Sequence, residues 1–257
     1  MFYQISKYIK FLLKSTNQHG IHSPFVYNLV TKCFYDKTNH KSYKSILNYK
    51  KTLLENHTKI KVTDLGAGSQ IMKQQERLVS NIAKNAGTTN KRAKLLYRIT
   101  TYFKPENILE LGTSLGIATY AISLGNPEAS ITSVEGCPEI SKFAKKKLEN
   151  YTVENVSVLT GNFKDKIENL NSNNYDFIFF DGNHQKDATI EYFEILLKTA
   201  NNNSIFIFDD IYWSEGMTKA WETIKKHPKV TVTIDTFFWG FVFFRIEQKK
   251  EHFKIRV

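Results

Sequence analysis

Three acids and a histidine follow two apolar segments in the second half of the chain. Asp181 and His184 come after YDFIFF, and Asp209 and Asp210 come after SIFIF. If these segments are neighbouring parallel strands, their carboxyl ends lie about 4.8 Å apart, so the acids can converge on one hard cation. A histidine beside them can accept a proton near neutral pH. The alternative is that Asp181 and Asp209 only cap the helices that follow them.

A glycine-containing turn follows an earlier apolar segment, at residues 110–116 (ELGTSLG). Gly112 and Gly116 permit a tight turn and a close approach of a ligand to the backbone, and the next helix points its amides at that ligand. Roughly twenty residues later Glu135 ends the next strand, where an acid can bind two ribose hydroxyls. This unit predicts a nucleoside cofactor. The dinucleotide signature G-x-G-x-x-G and a Walker-type G-K-[ST] are both missing, which argues against a dinucleotide or a triphosphate.

These residues lie in a regular alternation of strands and helices. Apolar segments alternate with helical ones from ENILELG to GFVFFRIEQ, and the last two form a hairpin. Near-continuous apolar strands separated by helices of about 10–15 residues are typical of a parallel sheet covered on both faces. The sequence therefore predicts a doubly wound α/β domain over residues 105–257, with a seven-stranded, mostly parallel sheet and an antiparallel C-terminal hairpin.

The segment ELGTSLGIAT resembles the first motif, E-x-G-x-x-x-G, of class I S-adenosylmethionine-dependent methyltransferases. It is most similar to the small-molecule O-methyltransferase branch that includes catechol O-methyltransferase. The VEG acid, the LTGN turn, the FFDG acid and the final hairpin also resemble that family. The resemblance implies a Rossmann-like methyltransferase fold with S-adenosylmethionine as cofactor. By it, the cofactor-binding residues are Glu110, Gly112, Thr113, Ser114 and Gly116 for the methionine part, Glu135 for the ribose, Gly161 and Asn162 for the adenine, and Asp181.

The group of Asp181, His184, Asp209 and Asp210, which we call the acid–histidine cluster, is similar to a cluster in metal-dependent sugar O-methyltransferases of macrolide pathways. There a D-G-x-H string supplies a metal ligand and a histidine base, and the acidic pair of the next strand completes the metal site. By that resemblance Asp181, Asp209 and Asp210 bind Mg²⁺ or another divalent cation, and Asp181 and His184 are catalytic, with His184 as the base. Catechol O-methyltransferase has a lysine in place of His184. The implied reaction is O-methylation of a small molecule.

The charge of the chain is concentrated in its first part. Residues 1–107 carry 19 Lys and Arg against 5 Asp and Glu, while residues 108–257 carry 17 against 20. A basic front can face nucleic acid, anionic lipid or an acidic small molecule, or it can reflect a lysine-rich composition alone. We expect residues 1–104 to form a basic helical cap on the α/β body, with helices near 2–16, 24–36, 41–55, 70–86 and 90–104.

The basic front leaves RNA methylation as the alternative function. Strings of the type N-P-P-Y or D-P-P-Y are missing, and Cys137, beside the ribose acid, is poorly placed as a nucleophile. Nucleic acid is therefore the less favoured partner. A non-catalytic cofactor-binding protein is a third reading, which would leave the acid–histidine cluster unexplained.

Composition bounds the remaining expectations. Two cysteines in 257 residues are too few for a disulfide framework or a zinc cluster, and no apolar run approaches the roughly 18 residues of a membrane span. We expect a cytoplasmic protein; its oligomeric state stays open, with a homodimer plausible.

The string DLGAGS at 64–69 is interpreted as a substrate-side or structural loop, because no strand ending in an acid follows it. The role of HGIHSPF at 19–25 stays open, since Ser23 and Pro24 suffice to start a helix. Tyr212 and Trp213 are the best candidates for a pocket wall.

Overall fold

The computed structural model describes residues 2–63, 74–170 and 174–257. The first part of the chain is helical, as expected, and contains one small antiparallel pair of strands. Its helices are α1 (Phe2–Lys14), α2 (Pro24–Leu29), α3 (Ser42–Leu54), α4 (Val79–Asn85) and α5 (Asn90–Phe103), and its strands are β1 (Lys59–Lys61) and β2 (Glu76–Leu78). The helix expected near 70–86 is thus shorter, because residues 76–78 pair with β1. The DLGAGS loop lies outside the described residues.

The second part alternates strands and helices. Its strands are β3 (Asn107–Leu111), β4 (Ser130–Glu135), β5 (Val156–Thr160), β6 (Phe177–Phe180), β7 (Ile205–Asp209), β8 (Val232–Asp235), β9 (Trp239–Phe243) and β10 (Glu251–Lys254). Its helices are α6 (Ile117–Gly125), α7 (Pro138–Glu149), α8 (Phe163–Leu170), α9 (Lys186–Leu196) and α10 (Glu215–Lys226).

These strands form one sheet in the order β10-β8-β9-β7-β6-β3-β4-β5. Every neighbouring pair is parallel except β9, which runs antiparallel to both β7 and β8. The doubly wound α/β fold and the C-terminal hairpin are therefore confirmed.

The sheet has eight strands, one more than the seven predicted. The additional strand, β10, pairs in parallel with β8 at the edge of the sheet. Its sequence, EHFK, is short, polar and largely exposed, so it lacks the apolar pattern that marked the other strands. The N-terminal part extends this edge, since the amide of Thr16 donates to the carbonyl of Lys254 at 2.9 Å.

The two central strands that carry the acids are apolar on both faces. All residues of β6 (FIFF) and β7 (IFIFD) are buried, as expected for parallel strands covered by helices on both sides. Phe180 lies opposite Phe208, and their rings stack at 4.2 Å. This register puts Asp181 and Asp209 at the same level of the sheet.

Helices α1 to α5, which we call the helical front, pack directly on the sheet domain. Tyr49 of α3 is fully buried, its hydroxyl donates to the carbonyl of Leu115 at 2.9 Å, and its ring stacks on Tyr120 of α6 at 4.7 Å. The front therefore supports the turn between β3 and α6 from behind. Among the described residues, no helix is long and apolar enough to cross a membrane.

Candidate active site

A cavity of about 580 Å³ opens where β3 to β7 end at their carboxyl edge. This is where open α/β sheets bind ligands. The residues singled out in the sequence that line it are Gly112, Ser114, Glu135, Asn162, Asp181, His184, Asp209, Asp210, Tyr212 and Trp213. The structure thus brings the glycine turn, the acid of β4 and the acid–histidine cluster to one cavity.

The turn after β3 is held in a conformation that requires glycine at its first position. Gly112 has φ +113°, and a Cβ added there would lie 2.2 Å from the carbonyl oxygen of Asp181. The amide of Asp181 in turn donates to the carbonyl of Leu111 at 2.9 Å. Gly112 is therefore needed for the close approach of the turn to the backbone that carries Asp181.

Glu135 closes the turn from the next strand. One carboxylate oxygen accepts the amide of Ser114 at 2.8 Å, and the other accepts the amide of Cys137 at 2.9 Å. Burial raises the pKa of Glu135, and these backbone amides oppose the rise. A carboxylate offers about four acceptor positions, so Glu135 keeps acceptor capacity toward the cavity that it lines.

Four of the predicted cofactor residues do not line the cavity: Glu110, Thr113, Gly116 and Gly161. Thr113 is buried and hydrogen-bonds Ser133 at 2.6 Å. Gly116 and Gly161 have positive φ, and a Cβ there would approach Tyr49 Oη at 2.7 Å and Lys166 Cε at 2.8 Å, respectively. The structure gives these residues a role in shaping the turns and does not place them in the lining.

Glu110 is a buried acid beneath the turn, and within the described part of the chain only one of its two carboxylate oxygens is hydrogen-bonded. Its side chain is fully buried, and one carboxylate oxygen accepts from Thr119 and Ser133 at 2.5 Å each. The other oxygen has no hydrogen-bond partner among the described residues. Burial raises the pKa of Glu110 to about 7, although both hydroxyls oppose the rise. The carboxyl is therefore held close to its titration point at neutral pH.

The acid–histidine cluster lies at the ends of β6 and β7. One ligand atom from each of Asp181, His184 and Asp209 lies within 4.8 Å of the other two. Asp210 lines the same cavity in a left-handed conformation (φ +53°) and is not a member of this trio. The structure therefore brings Asp181 and Asp209 together as predicted, with the His184 imidazole as the third member of the group.

The environment of the cluster disfavours negative charge. Burial, followed by the neighbouring Asp209, raises the pKa of Asp181 well above its usual range. The same two causes raise the pKa of Asp210 to about 7. Burial also lowers the pKa of His184, a shift that Asp209 opposes. Such a cluster of acids binds a proton or a cation readily.

Arg92 supplies positive charge that the sequence did not reveal. It comes from α5 in the helical front, its Nη1 lies 3.4 Å from Asp209 Oδ1, and its guanidinium stacks over Phe238 at 4.3 Å. Both residues line the cavity, as do Phe163 and Tyr192. The connection at residues 85–89 also contributes to the lining. No local sequence signal marks these residues, because each reaches the cavity from a different segment.

Residues 109–211 match the family model of a methyltransferase domain. The matched range begins in β3 and contains the turn, Glu135 and the whole acid–histidine cluster. The chain contains a methyltransferase domain. The family match and the fold confirm the predicted class I methyltransferase. A comparison with curated proteins found no match.

Solved structures share the fold of this methyltransferase at low sequence identity. PaMTH1 from Podospora anserina, solved with S-adenosylhomocysteine, is 14% identical with a TM-score of 0.61, over 88% of this chain and 97% of that one. TomG from Streptomyces achromogenes, an O-methyltransferase of tomaymycin synthesis solved with S-adenosylmethionine, is 14% identical with a TM-score of 0.58, over 84% and 95%. An O-methyltransferase from Bacillus cereus, solved with S-adenosylhomocysteine, is 18% identical with a TM-score of 0.55, over 82% and 93%.

The buried Glu110 predicts a pH dependence of the stability of this methyltransferase. Its pKa rises from 4.5 to about 7 on folding, so between these values the folded state binds more protons than the unfolded state. Stability contributed by the protonated carboxyl is therefore lost as the pH rises through this range. We expect the free energy of unfolding of the wild type, relative to Glu110→Gln, to fall by up to about 3 kcal/mol from pH 4.5 to 7.5.

Urea unfolding of both proteins across this pH range measures the difference. Glu139→Gln, at an exposed position in the first turn of α7, is the matched control and should follow the wild type. Parallel curves for wild type and Glu110→Gln would show that Glu110 does not titrate in this range.

Proposed function

We propose that this protein transfers a methyl group from S-adenosylmethionine to an oxygen atom of a small molecule. The observation that carries the proposal is one continuous cavity that joins Glu135 and the glycine turn to Asp181, His184 and Asp209. S-adenosylmethionine, when bound, supplies a methyl group on a positively charged sulfur. The remaining requirements are to hold the nucleoside, position the acceptor and remove its proton.

The residues on one side of the cavity fit the nucleoside of this cofactor. The Glu135 carboxylate can accept ribose hydroxyls with the positions that Ser114 and Cys137 leave open. Asn162 and the ring of Phe163 line the cavity after β5, where the adenine is expected. Gly112 and Ser114 of the glycine turn also line the cavity. TomG was solved with S-adenosylmethionine and PaMTH1 with S-adenosylhomocysteine, which supports the same assignment here.

On the acceptor side, we assign proton removal to His184. Methyl transfer to a hydroxyl forms an O–C bond, breaks the S–C bond and leaves a proton to be taken up. Burial lowers the pKa of His184, so its imidazole is neutral and able to accept that proton at neutral pH. A base at hydrogen-bond distance from the hydroxyl typically contributes about 10²–10⁴ in rate.

We assign a divalent cation such as Mg²⁺ to the facing carboxylates of Asp181 and Asp209, with Asp210 as the further ligand. The two carboxylates lie close together at the ends of neighbouring strands, and of the two it is Asp209 that forms an ion pair with Arg92, at 3.4 Å. A hard cation with carboxylate ligands would offset the remaining repulsion. When bound there, it would polarise the acceptor hydroxyl and make its proton easier to remove.

The positions of several basic residues favour a small acceptor over RNA. Lys50 donates to the carbonyl of Thr88 at 2.7 Å, Lys91 donates to the carbonyl of Val257 at 2.6 Å, and Arg98 donates to Cys33 and Phe34. Arg92 faces Asp209. These cations hold segments of the chain together, so they are already engaged within the protein.

Replacing the acid that we assign to the ribose should weaken cofactor binding. Glu135→Gln keeps the shape of the side chain but replaces one acceptor oxygen with a donor. Because hydrogen bonds to charged groups contribute about 1.5–3 kcal/mol, we expect the affinity for S-adenosylhomocysteine to fall roughly 10- to 100-fold. Isothermal titration calorimetry measures it. Glu139→Gln is the control for the loss of one negative charge, and equal affinities for the two variants would place the ribose elsewhere.

Two variants of the acid–histidine cluster separate cation binding from proton removal. Asp209→Asn removes a carboxylate ligand, so Mn²⁺ binding measured by electron paramagnetic resonance should weaken by about tenfold or more. His184→Gln should leave Mn²⁺ affinity unchanged and lower methyl transfer by roughly 10²–10⁴ once an acceptor is identified. Asp187→Asn, at a position 94% exposed in α9, is the control for charge. Loss of Mn²⁺ binding in His184→Gln would make His184 a ligand and would contradict its assignment as the base.

A further inference from the structure

Helix α1 carries an apolar stripe that faces away from the protein. Its exposed members are Phe2 (85% exposed), Ile5 (49%), Ile9 (53%), Leu12 (40%) and Leu13 (82%). At 3.6 residues per turn these five side chains project within a sector of about 100°. We call them the α1 stripe. Buried helices hide such a face, so an exposed stripe of this width marks an interaction surface.

The opposite side of α1 is fixed to the body of the protein. Tyr3 donates from its hydroxyl to Thr218 at 2.8 Å, and Gln4 donates from its amide to the carbonyl of Trp213 at 3.1 Å. Phe11 is buried, with its ring 5.7 Å from that of Phe237. These contacts hold the helix in one rotational orientation. The stripe is therefore held outward and is not a core face that has lost its partner.

The polar residues of α1 add a consistent positive charge. The helix contains Lys7, Lys10 and Lys14 and no acidic residue. At about 100° per residue, Lys10 lies about 60° beyond the Leu13 edge of the stripe, whereas Lys14 and Lys7 lie about 100° and about 120° beyond it, toward the side that packs on the body. Both Lys10 and Lys14 are exposed. An exposed apolar face on a helix whose only charged residues are lysines is typical of a helix that lies in the interface of an anionic bilayer.

We propose that α1 docks this protein on a membrane surface that contains anionic phospholipid. The stripe enters the boundary between headgroups and acyl chains, Lys10 contacts the headgroups beside it, and the positive charge of the whole protein adds attraction to the anionic surface. Charge complementarity favours this occupant over a second copy of the chain. Two copies that paired through α1 would bring two acid-free lysine-bearing helices together, in proteins that each carry a formal charge of +11.

Docking through α1 would also place the active-site cavity beside the lipid. Gln4 of α1 lines the cavity, as do Trp213 and Phe237, which contact the helix. Since a helix with its side chains is about 10 Å across, one helix diameter would separate this wall of the cavity from the bilayer surface.

Co-sedimentation of the full-length protein with vesicles tests the proposal. We expect binding to phosphatidylcholine vesicles that contain phosphatidylglycerol, weaker binding to phosphatidylcholine alone, and release as the salt concentration rises. Phe2→Ser combined with Leu13→Ser changes the two most exposed positions of the stripe. It should lower the partition coefficient by about tenfold or more, because each apolar side chain contributes through its burial.

Matched variants separate the stripe from general surface effects. Ile246→Ser removes an 87% exposed apolar side chain outside α1 and should bind as the wild type does. Lys10→Gln should weaken binding about fivefold, whereas Lys145→Gln, at an exposed position of α7, should have less effect.

Equal binding of all variants, or no binding to anionic vesicles, would overturn the proposal. If the protein fails to bind vesicles and analytical ultracentrifugation shows a dimer that the Phe2→Ser and Leu13→Ser variant dissociates, the stripe belongs to a second copy. These readouts do not involve methyl transfer, so they are independent of the proposed reaction.

Discussion

The carboxylates of Asp181 and Asp209 end two neighbouring parallel strands, and much of the surrounding structure accommodates their proximity. Phe180 lies opposite Phe208 in the register of β6 and β7, so the next residue of each strand is an acid at the same height. The strands below are apolar on both faces. Water therefore cannot solvate the two acids from within the sheet, and the cavity above them is where their charge must be offset.

The surroundings offset that charge only in part. Arg92 reaches Asp209 from the helical front and lies over the Phe238 ring. Asp181 has no comparable cation beside it among the described residues, and burial together with Asp209 raises its pKa well above its usual range. The site is consequently ready to bind a cation or a proton. This same shortage of positive charge connects the fold to the proposed chemistry, because a cation bound there would make an acceptor hydroxyl beside the neutral imidazole easier to deprotonate.

The sequence could predict the convergence of these acids because it depends only on two apolar strands with an acid at the end of each. It could also predict Glu135 at the cavity, for the same reason. It could not show that Glu110 lies beneath the turn, because the motif has the same letters whether a residue faces a ligand or Thr119 and Ser133. Gly112 was expected to make room for a ligand, whereas the structure shows that it also makes room for the backbone of Asp181. Arg92 and β10 were missed because tertiary contacts decide their positions.

The central claim is that Glu135 and the glycine turn hold the methyl donor at one end of the cavity, while the acid–histidine cluster at the other end holds the acceptor of that methyl group. The most direct measurement is a crystal structure of the protein with S-adenosylhomocysteine bound. The account predicts ribose hydroxyls on the Glu135 carboxylate and the sulfur directed toward the space beside His184 and Asp181. S-adenosylhomocysteine bound away from Glu135, or with its sulfur directed away from the acid–histidine cluster, would contradict this account.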